Sequence, residues 1–259
     1  TGSVAVGAIG DASHAEIHNV TITGDGGITL SGDIYTSSDD SSTADIIFND
    51  VVNIDGTVAI DSDNTLRDGS ITFTTSIEGV DASGDNLTIS SGTGTITMVA
   101  AGANTALSSL TVNSASLSLS TSITTNNGTV DLNTPVTIAN NVTITTGTGA
   151  GDIDFASSID GPNNLTLRSG SGAIKVQGAI GANATLTSLR VNHVDNETGT
   201  IELNNIGDGD DFGVNTGSIS IGNANTGTLT LDGTIYKTDG TTIYETATGN
   251  NILITGASP

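Results

Sequence analysis

Cysteine is absent from the 259 residues, so no disulfide framework holds this chain and no thiolate serves it as nucleophile, redox centre or metal ligand. The absence leaves export open. Tryptophan is also missing, and aromatic residues make up only 3%. A compact globule of this length would fill its core with more large side chains, whereas a thin solenoid, in which no atom lies far from the surface, needs few. Three prolines are too few for a proline-rich stalk or a disordered linker. Lys and Arg together number 5 against 28 Asp and Glu, a net charge of −23. With no basic stripe to neutralise phosphates, nucleic-acid binding is excluded, and an anionic membrane surface would repel the chain. No apolar run is long enough to cross a membrane, and no signal peptide or lipidation motif is visible. Thr1 is not an initiator Met, and the expectation is a chain that is mature, processed or excised from something longer.

What the chain has is Ile, Leu, Val and Ala, abundant Thr and Ser, and 34 Gly, which is the composition of strands and turns. Short alternating runs recur throughout, among them NVTIT (19–23), SITFT (70–74), PVTIA (135–139), DIDFA (152–156), TIELN (200–204), TIY (234–236) and NILIT (251–255). Within each, apolar residues fall at i and i+2 and share one face of a strand. Nowhere is an i, i+3, i+4 pattern sustained, so essentially no helix is expected. Asn127–Gly128 is a hairpin-type dipeptide, and an antiparallel sandwich has to be weighed. The uniform shortness of the runs, their recurrence at long range, and Gly and Asn at the corners favour an all-β, right-handed parallel β-helix (β-solenoid) instead. Three strands per coil would use roughly 20–27 residues.

Long phrases repeat in order. GTVDLN (128–133) returns as GTIELN (199–204), an offset of 71 (199 − 128). GSITFTTSIEG (69–79) returns as GDIDFASSIDG (151–161), an offset of 82 (151 − 69). GANTALSSLTV (102–112) returns as GANATLTSLRV (181–191), an offset of 79 (181 − 102). Offsets that cluster but drift are the mark of a divergent repeat carrying loop insertions. The expected organisation is a single β-solenoid over 1–259 built from about three divergent long repeats, approximately 1–84, 85–162 and 163–259. GSVAVGAIG (2–10) already resembles GAIKVQGAIG (172–181), and neither end carries a distinct capping segment. The chain is then either a slice of a longer rod or a subunit whose ends dock onto neighbours.

Residues with chemistry are few. GDGDDFG (207–213) places Asp208, Asp210 and Asp211 on a Gly-rich turn, where alternating carboxylates could offer oxygens to Ca²⁺. Its spacing matches neither an EF-hand nor the nine-residue Ca²⁺-binding β-roll, and the plain alternative is a solvated acidic insertion. Asp39 with Asp40, and Asp61 with Asp63, are weaker candidates of the same kind. Asp152, Asp154 and Asp160 with Arg168, Lys175 and Arg190 are the nearest approach to the acid–base cluster of a polysaccharide-cleaving β-helix. No stacking aromatic accompanies them, however, and Thr72 replaces Asp154 in the matching repeat. His14, His18 and His193, the only histidines, lack an identifiable third metal ligand and read as surface or corner residues. Seven Asn-x-Ser/Thr triplets, at Asn19, Asn86, Asn127, Asn141, Asn164, Asn183 and Asn196, read as products of composition.

NLTISSGTGTITM, GANTALSSLTV, GTVDLN followed by VTIANNVTI, and GDIDFASSIDG resemble the repeats of large bacterial β-strand-repeat surface proteins, the filamentous-haemagglutinin-like adhesins. The resemblance covers most of residues 1–235. It implies secretion to the cell surface or beyond, a β-solenoid shaft, and work in adhesion, biofilm or extracellular fibres; it brings no catalytic residues. The amino-terminal secretion domain of that family is not recognisable here. The sequence thus points to a non-enzymatic extracellular structural protein, with no required cofactor beyond a candidate Ca²⁺. Its expected partners are copies of itself end to end, the rest of a longer surface protein, or host or matrix glycans, with no nucleic acid and no membrane insertion. A self-assembling filament subunit is the alternative, and a polysaccharide-acting enzyme the distant one.

Overall fold

A computed structural model describes residues 2–11, 17–37, 43–63, 68–81, 83–194, 196–208 and 213–255. Among them there is no helix, and each strand pair is parallel, as in Val4–Val6 on Ile28–Leu30 and Leu229–Leu231 on Ile252–Ile254. The chain is a parallel β-solenoid. It divides into two compact units, 1–126 and 127–259.

In the first unit the chain visits three sheets in turn. One holds Val20–Ile22, Ile46–Phe48, Ile71–Phe73, Thr95–Met98 and Ser116–Leu119. The next begins with Val4–Val6, Ile28–Leu30, Val52–Ile54 and Ser76–Gly79, and the third holds Ile34–Tyr35, Thr57–Asp61, Asn86–Ser90 and Ser109–Asn113. Register puts like on like. Ile46 lies under Ile71 and Ile71 under Ile96, while Ile60 lies under Ile89 and Ile89 under Val112. All of these are fully buried, each contributing about 1.5–3 kcal/mol. Phe48 and Phe73 stack in the same core with centroids 5.0 Å apart, adding roughly 0.5–1.5 kcal/mol beyond their buried area.

The second unit repeats the scheme. Val130, Ile153, Ile174, Ile201, Leu229 and Ile252 form one inward column, and Leu132, Phe155, Val176, Leu203, Leu231 and Ile254 its neighbour. A second sheet stacks Val142–Thr145, Asn164–Arg168, Ser188–Val191, Ile219–Ile221 and Thr242–Tyr244. The third side is thin. Beyond Val136–Ile138 and Ile159–Asp160 it continues, among the described residues, as the single bridges Ile159–Ile180, Ile180–Ile206 and Ile206–Tyr236.

Two corner devices explain the repeated phrases and their drift. The first is a column of close backbone approaches. A Cβ on Gly172 would overlap the carbonyl oxygen of Gly151, and one on Gly199 the carbonyl oxygen of Gly172. Only glycine fits where one coil's carbonyl fills the next coil's Cβ position, which is why Gly precedes GTVDLN-like strands. The second is a buried neck at the corner where coils lengthen. Thr36 Oγ1 donates to Ala44 O at 2.6 Å, and Ser62 Oγ to Gly69 O at 2.8 Å. In the second unit Thr146 Oγ1 and Ser169 Oγ donate to Gly151 O and Gly172 O, each at 2.6 Å. The excursion after Asn192 is closed by Asn223 Nδ2, which donates to the carbonyls of Asn192, Val194 and Glu197. With the neck satisfied internally, residues can be inserted beyond it without disturbing the ladder.

One strand expectation is corrected, and the hairpin alternative is set aside. Residues 234–236 form no strand and supply only a bridge at Tyr236, whereas Thr242–Tyr244, which the alternation did not mark, is one. Asn127–Gly128 is no hairpin. Asn127 takes φ 62 at a corner, and its Oδ1 accepts Gly149 N–H from the next coil at 2.6 Å.

Candidate functional site

The acidic residues have structural employment that net charge alone did not suggest. Glu78, 4% exposed, accepts the backbone N–H groups of Asn104 and Thr105 at 2.8 and 3.0 Å. Asp160, 9% exposed, does the same for Asn183 and Ala184 at 2.8 and 3.2 Å. Around both clamps the backbone bonds match. Gly79 N–H donates to Thr105 O and Gly161 N–H to Ala184 O, each at 2.9 Å, while Gly102 and Gly181 N–H donate to Ile77 O and Ile159 O, each at 2.7 Å. The repeated S-I-[D/E]-G and G-A-N phrases are thus the two halves of one clamp, a carboxylate and the loop one coil above it. Asp85, 2% exposed, accepts three backbone N–H groups, from Gly56, Val80 and Asp81. Asp33, Asp45, Asp68 and Asp152 accept the N–H of Ala59, Ser70, Thr93 and Ala173 on the following coil. Each such charge-assisted bond satisfies a backbone donor, at a corner or at Ala59 within the strand Thr57–Asp61, that the strand ladder leaves open.

Of the three Ca²⁺ candidate residues, Asp208 alone lies among the described residues. Gly207, at φ 89, donates to Ile180 O, and Gly213 N–H donates to Lys237 O, so the loop's neck is anchored at both ends. Asp208 is half-buried just beyond Gly207 and has an electrostatic or hydrogen-bond partner. Asp210 and Asp211 lie outside the described residues, as do His14, Asp39 and Asp40. Among the described residues no group of three or more His, Asp or Glu side chains could hold a metal ion. Asp61 accepts Asp63 N–H at 2.8 Å, a local turn.

The six residues weighed as an acid–base cluster are not brought together. Asp160 is spent in its clamp. Arg168 and Arg190 stand on the strands Asn164–Arg168 and Ser188–Val191 of one sheet, while Asp152, Asp154 and Lys175 belong to the sheet built on Val130–Asn133. There the outward positions form a column of Asp131, Asp154, Lys175, Glu202 and Thr230. Lys175 Nζ meets Glu202 Oε1 at 3.1 Å with both side chains over 40% exposed, a pair worth at most about 1 kcal/mol. Partial burial, then the like charges of Asp152 and Asp131, raise the Asp154 carboxyl above its ordinary value, with Lys175 opposing. Beside this column lies a cleft of about 230 Å³ lined by Lys175, Val176, Gln177, Glu202, Asn204 and Asp232.

Arg168 Nε forms an ion pair with Glu197 Oε1, and Val194 N–H donates to Glu197 Oε2 at 3.1 Å. The pair pins the excursion that Asn223 closes. His193 sits half-buried within it; burial first, then the charges of Arg190 and Arg168, lower its pKa, against the pull of Glu197. His18 is also half-buried. Several of the asparagines in Asn-x-Ser/Thr triplets also join one coil to the next. Asn19, Asn127 and Asn141 accept backbone N–H groups from the next coil, Asn164 accepts the Ser188 hydroxyl, and Asn183 donates to Asp160.

Sequence reasoning missed the clamps. The signal that could have found them was the acid kept at both Glu78 and Asp160, where Asp154 is matched by Thr72. No family model, characterised protein or solved structure matches the chain.

Proposed function

We propose that this protein is a non-enzymatic structural element, the β-solenoid shaft of a bacterial adhesin or surface fibre, working outside the cell. The observation that carries the reading is where the polar chemistry goes. The buried acids Glu78, Asp85 and Asp160, together with Asp152, accept backbone N–H groups that hold coil on coil. A scaffold of repeated parallel coils whose acids serve its own corners is suited to bearing and presenting, and the resemblance of its phrases to surface-protein repeats points the same way. The test is antibody labelling of the producing cells. Label on intact cells or on shed fibres supports the reading; label that appears only after permeabilisation overturns it.

A second reading, a subunit that stacks end to end, is favoured by one observation. Ile243, Ile252, Leu253 and Ile254, four large apolar side chains on the edge strands Thr242–Tyr244 and Ile252–Ile254, are 43–76% exposed. Among the described residues no strand lies against the outer side of Ile252–Ile254, and such edges pair readily. Electron microscopy of the purified chain decides between the two. Filaments that lengthen with concentration mean a polymer subunit, and discrete particles at every concentration mean a shaft segment.

A further inference from the structure

The cleft on the outward face of residues 174–232 has lining chemistry that selects a ligand. Its outward side chains fall on a grid set by the register: Lys175 and Glu202 along one column, Gln177, Asn204 and Asp232 along the next. Strand spacing puts neighbours in a column about 4.8 Å apart and the columns roughly 6.6 Å apart. The one apolar lining residue, Val176, is 1% exposed because its side chain points into the core, so a lipid or aromatic ligand finds no wall to bury against. The one ammonium is paired with Glu202 and outnumbered by two carboxylates, which disfavours an anion. The cleft supplies only two carboxylates, and among the described residues no group of three or more His, Asp or Glu side chains could hold a metal ion, which disfavours a cation. What remains is a ligand whose groups both donate and accept.

Free hydrogen-bonding capacity is present on both sides. The Gln177 side-chain amide has no hydrogen-bond partner among the described residues, while its backbone carbonyl takes Asn204 Nδ2–H at 2.8 Å. Asp232 Oδ1 takes the Thr255 hydroxyl at 2.7 Å, leaving Oδ2 to accept. Lys175 spends one of its three N–H donors on Glu202. An amide, a carboxylate and an ammonium around a wet, open hollow match the vicinal hydroxyls of a sugar ring, each of which donates and accepts.

We propose that this cleft is a saccharide subsite that takes an uncharged pyranose unit of an extended β-linked polysaccharide lying along the sheet face. Gln177 is its primary contact, Asp232 accepts from a ring hydroxyl and Lys175 donates to one. The proposal rests on the cleft alone and stands or falls separately from the shaft reading.

The test is titration of the isotope-labelled full chain with cellotetraose and with chitotetraose, followed by NMR, with trigalacturonate as the anionic comparison. Saturable shifts confined to Lys175, Gln177, Asn204 and Asp232 are expected from an uncharged oligosaccharide, with binding about tenfold weaker in Gln177→Ala. Gln177→Ala leaves every backbone bond in place, and its melting temperature checks that it folds. No saturable local shift with either uncharged oligosaccharide overturns the proposal. So does equal binding of trigalacturonate, or binding unchanged in a folded Gln177→Ala.

Discussion

Asp160 lies beneath Asn183, one coil away, and its carboxylate accepts both the Asn183 backbone N–H at 2.8 Å and the side-chain Nδ2–H at 3.0 Å. Replacing it by alanine strands those donors and the Ala184 N–H in a site that is 9% exposed. Asp160→Ala should therefore cost about 1–3 kcal/mol in urea unfolding. Asp154→Ala, which removes an outward carboxyl crowded by Asp131 and Asp152, should stay within about 0.5 kcal/mol. Equal losses would mean that the clamp contributes nothing.

Adjacent residues on one strand should respond oppositely. Ile138 is 1% exposed and Thr137 faces solvent. A carboxylate at 138 has neither water nor partner, so Ile138→Asp is expected to cost about 3–5 kcal/mol, with Thr137→Asp nearly silent. Comparable midpoint shifts in denaturant would reverse the assignment of faces.

A methyl group should suffice to damage the glycine column. Gly199→Ala forces the new Cβ against the Gly172 carbonyl, and one coil must move away from the other at a cost of about 1–3 kcal/mol. Gly2, whose Cβ would meet nothing within 4 Å, is the control, and Gly2→Ala should shift the melting curve negligibly.

Alkaline pH should destabilise the fold through its tyrosines. Burial first, then the neighbouring Tyr236, push the Tyr244 phenol up to about 12, and burial raises Tyr35 and Tyr236 as well. The native state therefore keeps protons that the unfolded chain releases near pH 10. Unfolded binds fewer protons than native in that window, so stability is full below pH 10 and is lost as pH rises toward 12. With no tryptophan in the chain, tyrosinate absorbance reads this directly. The native midpoint should lie above that in denaturant, and coincident curves would contradict the burial.

How much of this was legible differs from corner to strand. The inward columns were plain, because Ile153 with Phe155 and Ile174 with Val176 alternate and the pleat forces both members of each pair to one side. Strands such as Ala100–Ala101 and Ile123–Thr124 were not, since two residues carry no alternation. Gly199 was visible as a repeated glycine, but its reason, a carbonyl 27 residues earlier (199 − 172) filling its Cβ space, is a fact of stacking. The role of Asp160 was hidden similarly, because its partner Asn183 lies 23 residues on and no local pattern joins them. Asp154 and Lys175 looked equally reactive in sequence, and only register put them in one column while setting Arg168 and Arg190 on another sheet.

Disulfide trapping tests the parallel in-register stacking most directly, because the chain has no native cysteine. Thr88 and Thr111 lie opposite each other on neighbouring coils, and Asn113 lies two residues further along the second strand. A Thr88→Cys, Thr111→Cys pair, with Cα atoms about 4.8 Å apart, should oxidise readily in the folded protein, while Thr88→Cys with Asn113→Cys, roughly 8 Å apart, should not. Cross-linking of the first pair alone, with melting temperature kept, is the predicted result. No cross-link in that pair, or efficient cross-linking of the diagonal one, would contradict the solenoid and everything built on it.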